Sequence, residues 1–303
     1  MTSKNSSKKI YRNVLILGKG YIGTELAHHL SKIGDVNVFH ISRSDIDYHD
    51  GKTLRKYIFN NEIGYAINCS GFTGRPNVDE GEIKSEECWN LNVVVPLRIS
   101  ILMEAMGVRY THISSGCIYT GYERIYTEKD NPNFGLFDVS SFYSKSKHAF
   151  ETLVGDLNLK ILRIRMPICY NLTNPRNYLK KIMEYPNLIN YKNSKTLIPE
   201  LCLFVQELLT NDNINWYNGC DIYNVVNPDP LTTMEVVDHL NYMNEGNWIM
   251  MNPNWVKIED LHIVAPRSNC ILDNTKADNI FKLSPEKIAM NKVCNYNNGI
   301  QGI

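Results

Sequence analysis

Tyr143 and Lys147, in Tyr143-Ser144-Lys145-Ser146-Lys147, are four residues apart, a spacing that puts a phenol and an ammonium on one face of a helix. A cation beside a phenol favours the phenolate and lowers its pKa from about 10. Such a tyrosine can give a proton to a carbonyl oxygen while hydride arrives at the carbon. The pattern recurs by chance in many proteins, so its weight depends on what accompanies it. Ser114-Ser115 closes an apolar run upstream and offers a hydroxyl to the same carbonyl. Gly18-Lys19-Gly20-Tyr21-Ile22-Gly23 is a Gly-x-Gly-x-x-Gly turn between a strand-like and a helix-like segment. There the glycines permit a tight turn and close approach of backbone to a pyrophosphate. The unpaired N–H groups of the helix start, from Gly20 through Tyr21, Ile22 and Gly23, face the phosphates.

The second strand bears on the choice of cofactor. NAD sites usually place an acid at its end, on the ribose 2′-hydroxyl. This chain has Phe39-His40-Ile41-Ser42-Arg43-Ser44, with Asp35 before the strand and Asp45 past the expected reach. Arg43 with Ser42 suits a 2′-phosphate, so NADPH is the expected cofactor and NADH the alternative.

These groups need elements to hold them, and the first half alternates strand and helix. Val14–Leu17, Val36–Ile41, Tyr65–Asn68, Tyr110–Ser114 and Ile161–Ile164 read as strands. Tyr21–Ile33, Lys52–Phe59 capped by Asp50, Glu82–Met106 broken near Pro96, and Phe142–Leu157 read as helices. Alternation of this kind predicts an α/β fold, a Rossmann-type doubly wound parallel sheet. After Met166 prolines punctuate shorter elements. Leu201–Leu209 reads as a helix and Ile222–Val226 as a strand rejoining the sheet. The expected organisation is a tail at 1–9, a dinucleotide-binding lobe at 10–170 rejoined by about 196–228, and a smaller C-terminal substrate-binding lobe from 171–195 and 229–303.

Lys+Arg and Asp+Glu are both 32, which argues against a nucleic-acid partner. Only the tail, with Lys4, Lys8 and Lys9, is locally basic, and it has nothing apolar to bury beyond Met1, so disorder is expected there. No run of about 18 apolar residues points to a membrane, and the start lacks a secretory core. Eight cysteines stand singly with no Cys-x-x-Cys pair. The expectation is reduced thiols in a cytoplasmic protein, with no metal site.

The Gly-rich turn, the Ser114-Ser115 strand end and Tyr143-x-x-x-Lys147, in that order, resemble the extended short-chain dehydrogenase/reductase superfamily. The resemblance implies Ser115, Tyr143 and Lys147 as the catalytic trio. It also implies that Asn68-Cys69-Ser70-Gly71 passes the cofactor, through Cys69, Ser70 and Gly71, and that Asn92 is the asparagine of the family's long helix.

A narrower resemblance covers nearly two thirds of the chain. Gly71-Phe72-Thr73-Gly74-Arg75-Pro76-Asn77-Val78-Asp79, Gly116-Cys117-Ile118 and Ser141-Phe142-Tyr143-Ser144-Lys145 carry it. So do Arg163-Ile164-Arg165-Met166-Pro167-Ile168, Asn174-Pro175-Arg176-Asn177 and Ala265-Pro266-Arg267-Ser268-Asn269. They are similar to the bifunctional UDP-4-keto-6-deoxy-glucose 3,5-epimerase/4-reductases of plants and some giant viruses, which make UDP-L-rhamnose. That family tends to have Gly-x-x-Gly-x-x-Gly at the first turn, one residue more than here. The resemblance implies Cys117 as a base on the carbons beside the ketone and Lys181 as the acid on the opposite face, with Lys180 the adjacent alternative. Arg75, Asn77, Asn177 and Arg267 are expected to meet the nucleotide sugar, arginine forks on the diphosphate and amides on hydroxyls. A homodimer through Glu82–Met106 and Phe142–Leu157 is also implied. A reductase without epimerase activity, the same chemistry on a 2-acetamido sugar, and a non-catalytic NADP-sensing regulator are the alternatives.

Overall fold

The computed structural model describes residues 12–75, 77–135, 139–243 and 251–297. The basic tail 1–9 and Pro76 lie outside the described residues. The first half runs β1 (Asn13–Leu17), α1 (Tyr21–Leu30), β2 (Asn37–Ile41), α2 (Gly51–Asn60) and β3 (Tyr65–Asn68). The Asp50 carboxylate caps α2 by accepting from the N–H groups of Lys52 and Thr53, meeting two donors a helix start leaves unpaired. Next come α3 (Glu80–Ile83), α4 (Ser85–Trp89), a π turn at Asn90–Val94 and α5 (Val95–Ala105), then β4 (Arg109–Ser115), α6 (Phe142–Leu153) and β5 (Lys160–Ile164).

The single helix expected at Glu82–Met106 is thus divided. Pro96 has no N–H for the carbonyl four residues back and its ring crowds that turn. The chain answers with a wider π turn ahead of it, so that Pro96 falls in the first turn of α5. The helix expected to reach Leu157 stops at Leu153, with Gly155 just beyond.

The second half runs β6 (Pro167–Ile168), α7 (Tyr178–Glu184), β7 (Asn187–Leu188), β8 (Thr196–Leu197), α8 (Ile198–Thr210), β9 (Asp221–Asn224), α9 (Thr233–Met243), β10 (Asn254–Trp255), α10 (Thr275–Asp278) and α11 (Glu286–Asn297). Six parallel strands form one sheet in the order β2-β1-β3-β4-β5-β9. The order reverses at β1, and in open α/β sheets ligands sit in the crevice outside the carboxyl ends at such a switch point.

Both faces of the sheet are covered. Leu26 and Leu30 of α1 and Leu201, Phe204, Val205 and Leu208 of α8 pack on one face. Leu54 and Ile58 of α2, Ile99 and Met103 of α5 and Phe150 of α6 pack on the other. Each such side chain contributes about 2 kcal/mol relative to exposure. Ile168, Leu179, Ile182, Val236, Leu240, Met290 and Val293 form a separate core beneath the C-terminal elements. Among the described residues no helix is long and apolar enough to cross a membrane, and no group of three or more metal-ligating side chains is assembled.

Candidate active site

The carboxyl ends of β1, β3, β4 and β5 bring the sequence-separated loops to one edge. Gly18 adopts φ +101 and a Cβ there would lie 2.9 Å from the Ser70 nitrogen, so the loops after β1 and β3 meet backbone to backbone. A Cβ at Gly23 would collide with the Gly18 carbonyl oxygen, whereas one at Gly20 would meet no heavy atom within 4 Å. The turn is therefore closed on the protein side and open where a pyrophosphate would approach. Gly20 caps α1 without a side-chain hydrogen bond, leaving the helix N–H groups to an anion. These residues fit a dinucleotide. Tyr21 and Ile22 turn their side chains toward the core beside α1, so they offer backbone only. Burial pushes the Cys69 thiol up, so Cys69 too has its main chain to offer a cofactor rather than its side chain.

Asn92 is buried in the π turn. Its Oδ1 accepts from the Phe72 N–H at 2.8 Å, and its Nδ2 donates to the Phe72 carbonyl at 2.9 Å and to Ser146 Oγ at 3.0 Å. A Cβ on Gly71 would lie 3.0 Å from Asn92 Oδ1 and 3.6 Å from Lys147 Nζ. Asn92 thus clasps the loop after β3 to α6.

Ser115, Tyr143 and Lys147 are all buried at this edge, and Ser115 Oγ accepts from the Cys117 N–H at 3.2 Å. Lys147 Nζ lies 5.9 Å from the Tyr143 ring centroid. The expected lowering of the phenol by Lys147 does not prevail. Burial dominates and pushes Tyr143 up, charge on Cys117 adds to it, and Ser115 and Arg176 oppose it. A phenol that keeps its proton is an acid, which is what a carbonyl being reduced requires. Burial brings the Lys147 ammonium down to about 8, against the Glu151 carboxylate that holds its proton on.

Cys117 is half-buried, and Arg165 Nη1 approaches its sulfur at 3.7 Å. Lys181 is half-buried on α7, with no hydrogen bond or ion pair at its ammonium among the described residues. Burial lowers it, and the Arg176 and Arg267 charges add to that. Lys180, by contrast, pairs with Glu184 at 2.6 Å on the surface. Of the two lysines, Lys180 is ion-paired and Lys181 has no such partner among the described residues.

The substrate loops depart from expectation at two positions. Asn177 is fully buried and caps α7: its Oδ1 accepts from the Leu179 N–H, and its Nδ2 donates to the Cys169 and Asn171 carbonyls. Its amide is engaged on both sides, so Asn177 sets the helix that carries Lys181 and does not meet a sugar hydroxyl. Arg267 grips Asp79 with both Nη atoms, at 2.7 and 3.0 Å, so its fork faces a carboxylate instead of open space. Asn77 Oδ1 accepts from the Asp79 N–H at 2.8 Å, while the exposed Arg75 side chain stands near Arg176. Arg176 itself donates to Thr73 Oγ1 and to the Gly74 carbonyl.

At the end of β2, Arg43 is exposed. Asp45, expected to lie too far on, folds back: its Oδ2 accepts from the Ser42 N–H and hydroxyl at 2.7 Å each and meets Lys19 at 2.9 Å. A tight turn, closed by the Asp45 N–H on the Ser42 carbonyl at 3.0 Å, returns the carboxylate.

Residues 12–189 match the family model described as the RmlD substrate binding domain. The chain is 32% identical to a bifunctional dTDP-4-dehydrorhamnose 3,5-epimerase/reductase of Arabidopsis thaliana, covering 90% of this chain and 88% of that one. It is also 32% identical to a trifunctional UDP-glucose 4,6-dehydratase/epimerase/reductase of the same plant, but spans only 40% of it. Among solved structures, the L780 UDP-rhamnose synthase of Acanthamoeba polyphaga mimivirus superposes with TM-score 0.83 at 23% identity, over 94% of this chain and 99% of that one. A dTDP-4-dehydrorhamnose reductase of Bacillus anthracis in complex with NADP superposes with TM-score 0.76 at 17% identity, over 94% and 99%.

Proposed function

The chain belongs to the RmlD substrate-binding-domain family, and from that premise we propose that it converts UDP-4-keto-6-deoxy-glucose to UDP-L-rhamnose, by 3,5-epimerisation and then reduction at C4. It is an NAD(P)H-dependent oxidoreductase of nucleotide-sugar chemistry. We assign NADPH as the preferred cofactor, 10–170 with 196–228 as the half that binds it, and 171–195 with 229–303 as the substrate half. The reading extends to a cytoplasmic homodimer. Its contact face would carry Trp89 of α4, which meets Phe142 of α6 edge-on at 6.3 Å.

A single observation supports the epimerase half: Cys117 lies beside the buried Tyr143, and the charge of Arg176 reaches both Tyr143 and Lys181. In a 4-keto sugar the protons on C3 and C5 are both alpha to the carbonyl. The Ser115 and Tyr143 hydroxyls would stabilise the enolate oxygen as Cys117 removes such a proton. Lys181 would return a proton from the other face, inverting the centre. When bound, the reduced nicotinamide supplies hydride to C4. Tyr143 gives its proton to the C4 oxygen, and Lys147 holds charge beside it. Arg75 and Arg176 are the cations available to the diphosphate.

The test is mass spectrometry and proton NMR of the product formed from the UDP-keto sugar with NADPH, run in heavy water. The expected outcome is a rhamno-configured product with deuterium at C3 and C5. Cys117→Ser should lose the deuterium, because a hydroxyl is a poor base, yet should still reduce pre-epimerised substrate. Lys181→Met should permit exchange without inversion. Reduction without exchange in the unaltered enzyme would leave a reductase only. Absence of any turnover would point to the cofactor-sensing alternative.

A further inference from the structure

α3 is short, yet it and the residue before it meet four different parts of the molecule in sequence order. Asp79 pairs with Arg267 and accepts from the Ala265 N–H. Glu80 Oε2 accepts from the Arg75 N–H at 2.6 Å, closing the loop after β3. Gly81 is buried, and a Cβ on it would lie 3.7 Å from the Tyr143 nitrogen and 4.0 Å from Tyr143 Cβ. Its bare backbone therefore rests against the main chain of Tyr143. Glu82 Oε1 accepts from the Phe142 N–H at 2.6 Å, across 60 positions of sequence.

The start of a helix leaves its first N–H groups without partners in the helix itself. In α6 two of them are met from different directions. Ser141 Oγ accepts from the Ser144 N–H at 3.1 Å, a cap made within the chain's own turn. The Phe142 N–H goes instead to Glu82 on another element. The first turn of α6 carries no acidic residue of its own, so the carboxylate that suits the positive end of a helix comes from α3. Trp89 of α4 meets the Phe142 ring edge-on at 6.3 Å. The first residue of α6 is thus fixed through main chain and side chain by the segment that follows the loop. Tyr143 lies between the two capped residues and is buried.

We infer that Glu82 is a positioning residue: by holding the Phe142 N–H it sets where the Tyr143 hydroxyl stands relative to the loop after β3. This rests on the reading of Tyr143 as the proton donor. A donor and a substrate loop carried by separate elements need a common reference, and α3 touches both. Misplacing a reacting group by about 1 Å can cost as much as a hundredfold in rate. Glu82 itself moves no proton in this role. What matters is an oxygen at the reach of its side chain, which a glutamine also offers.

A double-variant cycle on the full-length protein tests this. Glu82→Ala should lower kcat for NADPH oxidation roughly tenfold with KM for NADPH unchanged, and Glu82→Gln should recover most of the loss. Asp50→Ala removes a cap of the same kind from α2, so both alanine variants should melt earlier, but only Glu82→Ala should lose kcat. In a Tyr143→Phe background, Glu82→Ala should cost no more than about twofold further, since the hydroxyl that it places is gone. Amide hydrogen exchange at Phe142 and Tyr143, which needs no substrate, should quicken in Glu82→Ala and not in Glu82→Gln. If Glu82→Ala does not fold, Glu82→Asp, which keeps the charge and retracts the oxygen, carries the same expectations. Unchanged amide protection, an unchanged kcat, the full loss repeated in Tyr143→Phe, or an effect confined to KM for the sugar would each overturn the inference. Near-normal turnover in Tyr143→Phe removes the proton donor and this role of Glu82 together. A defect in Tyr143→Phe with a normal Glu82→Ala removes Glu82 alone.

Discussion

Tyr143, Lys147 and Glu151 repeat every four residues along α6, so one helix face carries the proposed proton donor, the cation beside it and the carboxylate behind. Glu151 also accepts from Ser114 Oγ at 2.6 Å and from Arg163 Nε and Nη2. It therefore locks α6 to β4 and β5 while holding the proton on Lys147. Burial has brought Lys147 down to about 8, so if the reduction needs its charge, as proposed, kcat/KM should fall about tenfold per pH unit above that value. Glu151→Gln removes the group that raises Lys147, so the descending limb should move to lower pH. Breaking the buried pair with Arg163 should also destabilise the fold by about 3–5 kcal/mol, visible in thermal melts. A pH–rate profile with an unmoved limb would mean that Lys147 is not the titrating group. At this scale Tyr143 and Lys147 were legible in the sequence, because their spacing is local. Glu151 lies on the same face one turn further, yet only its contacts with Ser114 and Arg163 distinguish it from any helical glutamate.

β2 ends where an adenosine ribose would lie, and its tight turn sets the charge there. Arg43 and Ser44 are exposed, while Asp45, exposed as well, is held well below the usual carboxylate range by hydrogen bonds from Ser42 and by Lys19. The acid is present, but its carboxylate is engaged by Ser42 and Lys19. NADPH should therefore be preferred by kcat/KM, with Arg43→Ala narrowing the ratio by about tenfold, as for one charged contact to phosphate. Equal use of both cofactors, or an unchanged ratio in Arg43→Ala, would remove Arg43 from the site. Strand and helix identities were legible from periodicity, down to the Asp50 cap. The turn at Ser42–Asp45 was not, because a carboxylate three residues on reaches back only once the backbone has turned. The division of Glu82–Met106 was signalled by Pro96, but its remedy, a π turn that points Asn92 at the Phe72 loop, depends on what that loop needs.

Across the molecule, the C-terminal segment returns over the loop after β3. The bidentate Arg267–Asp79 pair joins residues 188 apart in sequence, the Ala265 N–H donates to Asp79 Oδ1 at 2.9 Å, and Arg176 reaches the Gly74 carbonyl from another direction. No local pattern marks these as partners, which is why Arg267 reads from the sequence as a free diphosphate ligand. The pair is about a quarter exposed, so its own worth is on the order of 1 kcal/mol, enough to bias the two segments together without locking them. If Arg267 acts by holding that segment over the sugar, Asp79→Ala and Arg267→Ala should each raise KM for the nucleotide sugar by a similar factor, roughly fivefold. The double variant should be no worse than either single one, and KM for NADPH should not move if its site is the proposed one at Gly18–Gly23. If instead Arg267 leaves Asp79 to grip the diphosphate, Arg267→Ala should cost far more than Asp79→Ala. The latter should then lower KM by releasing the arginine. Steady-state kinetics on the three variants separates a latch from a ligand by the sign of the Asp79 effect alone.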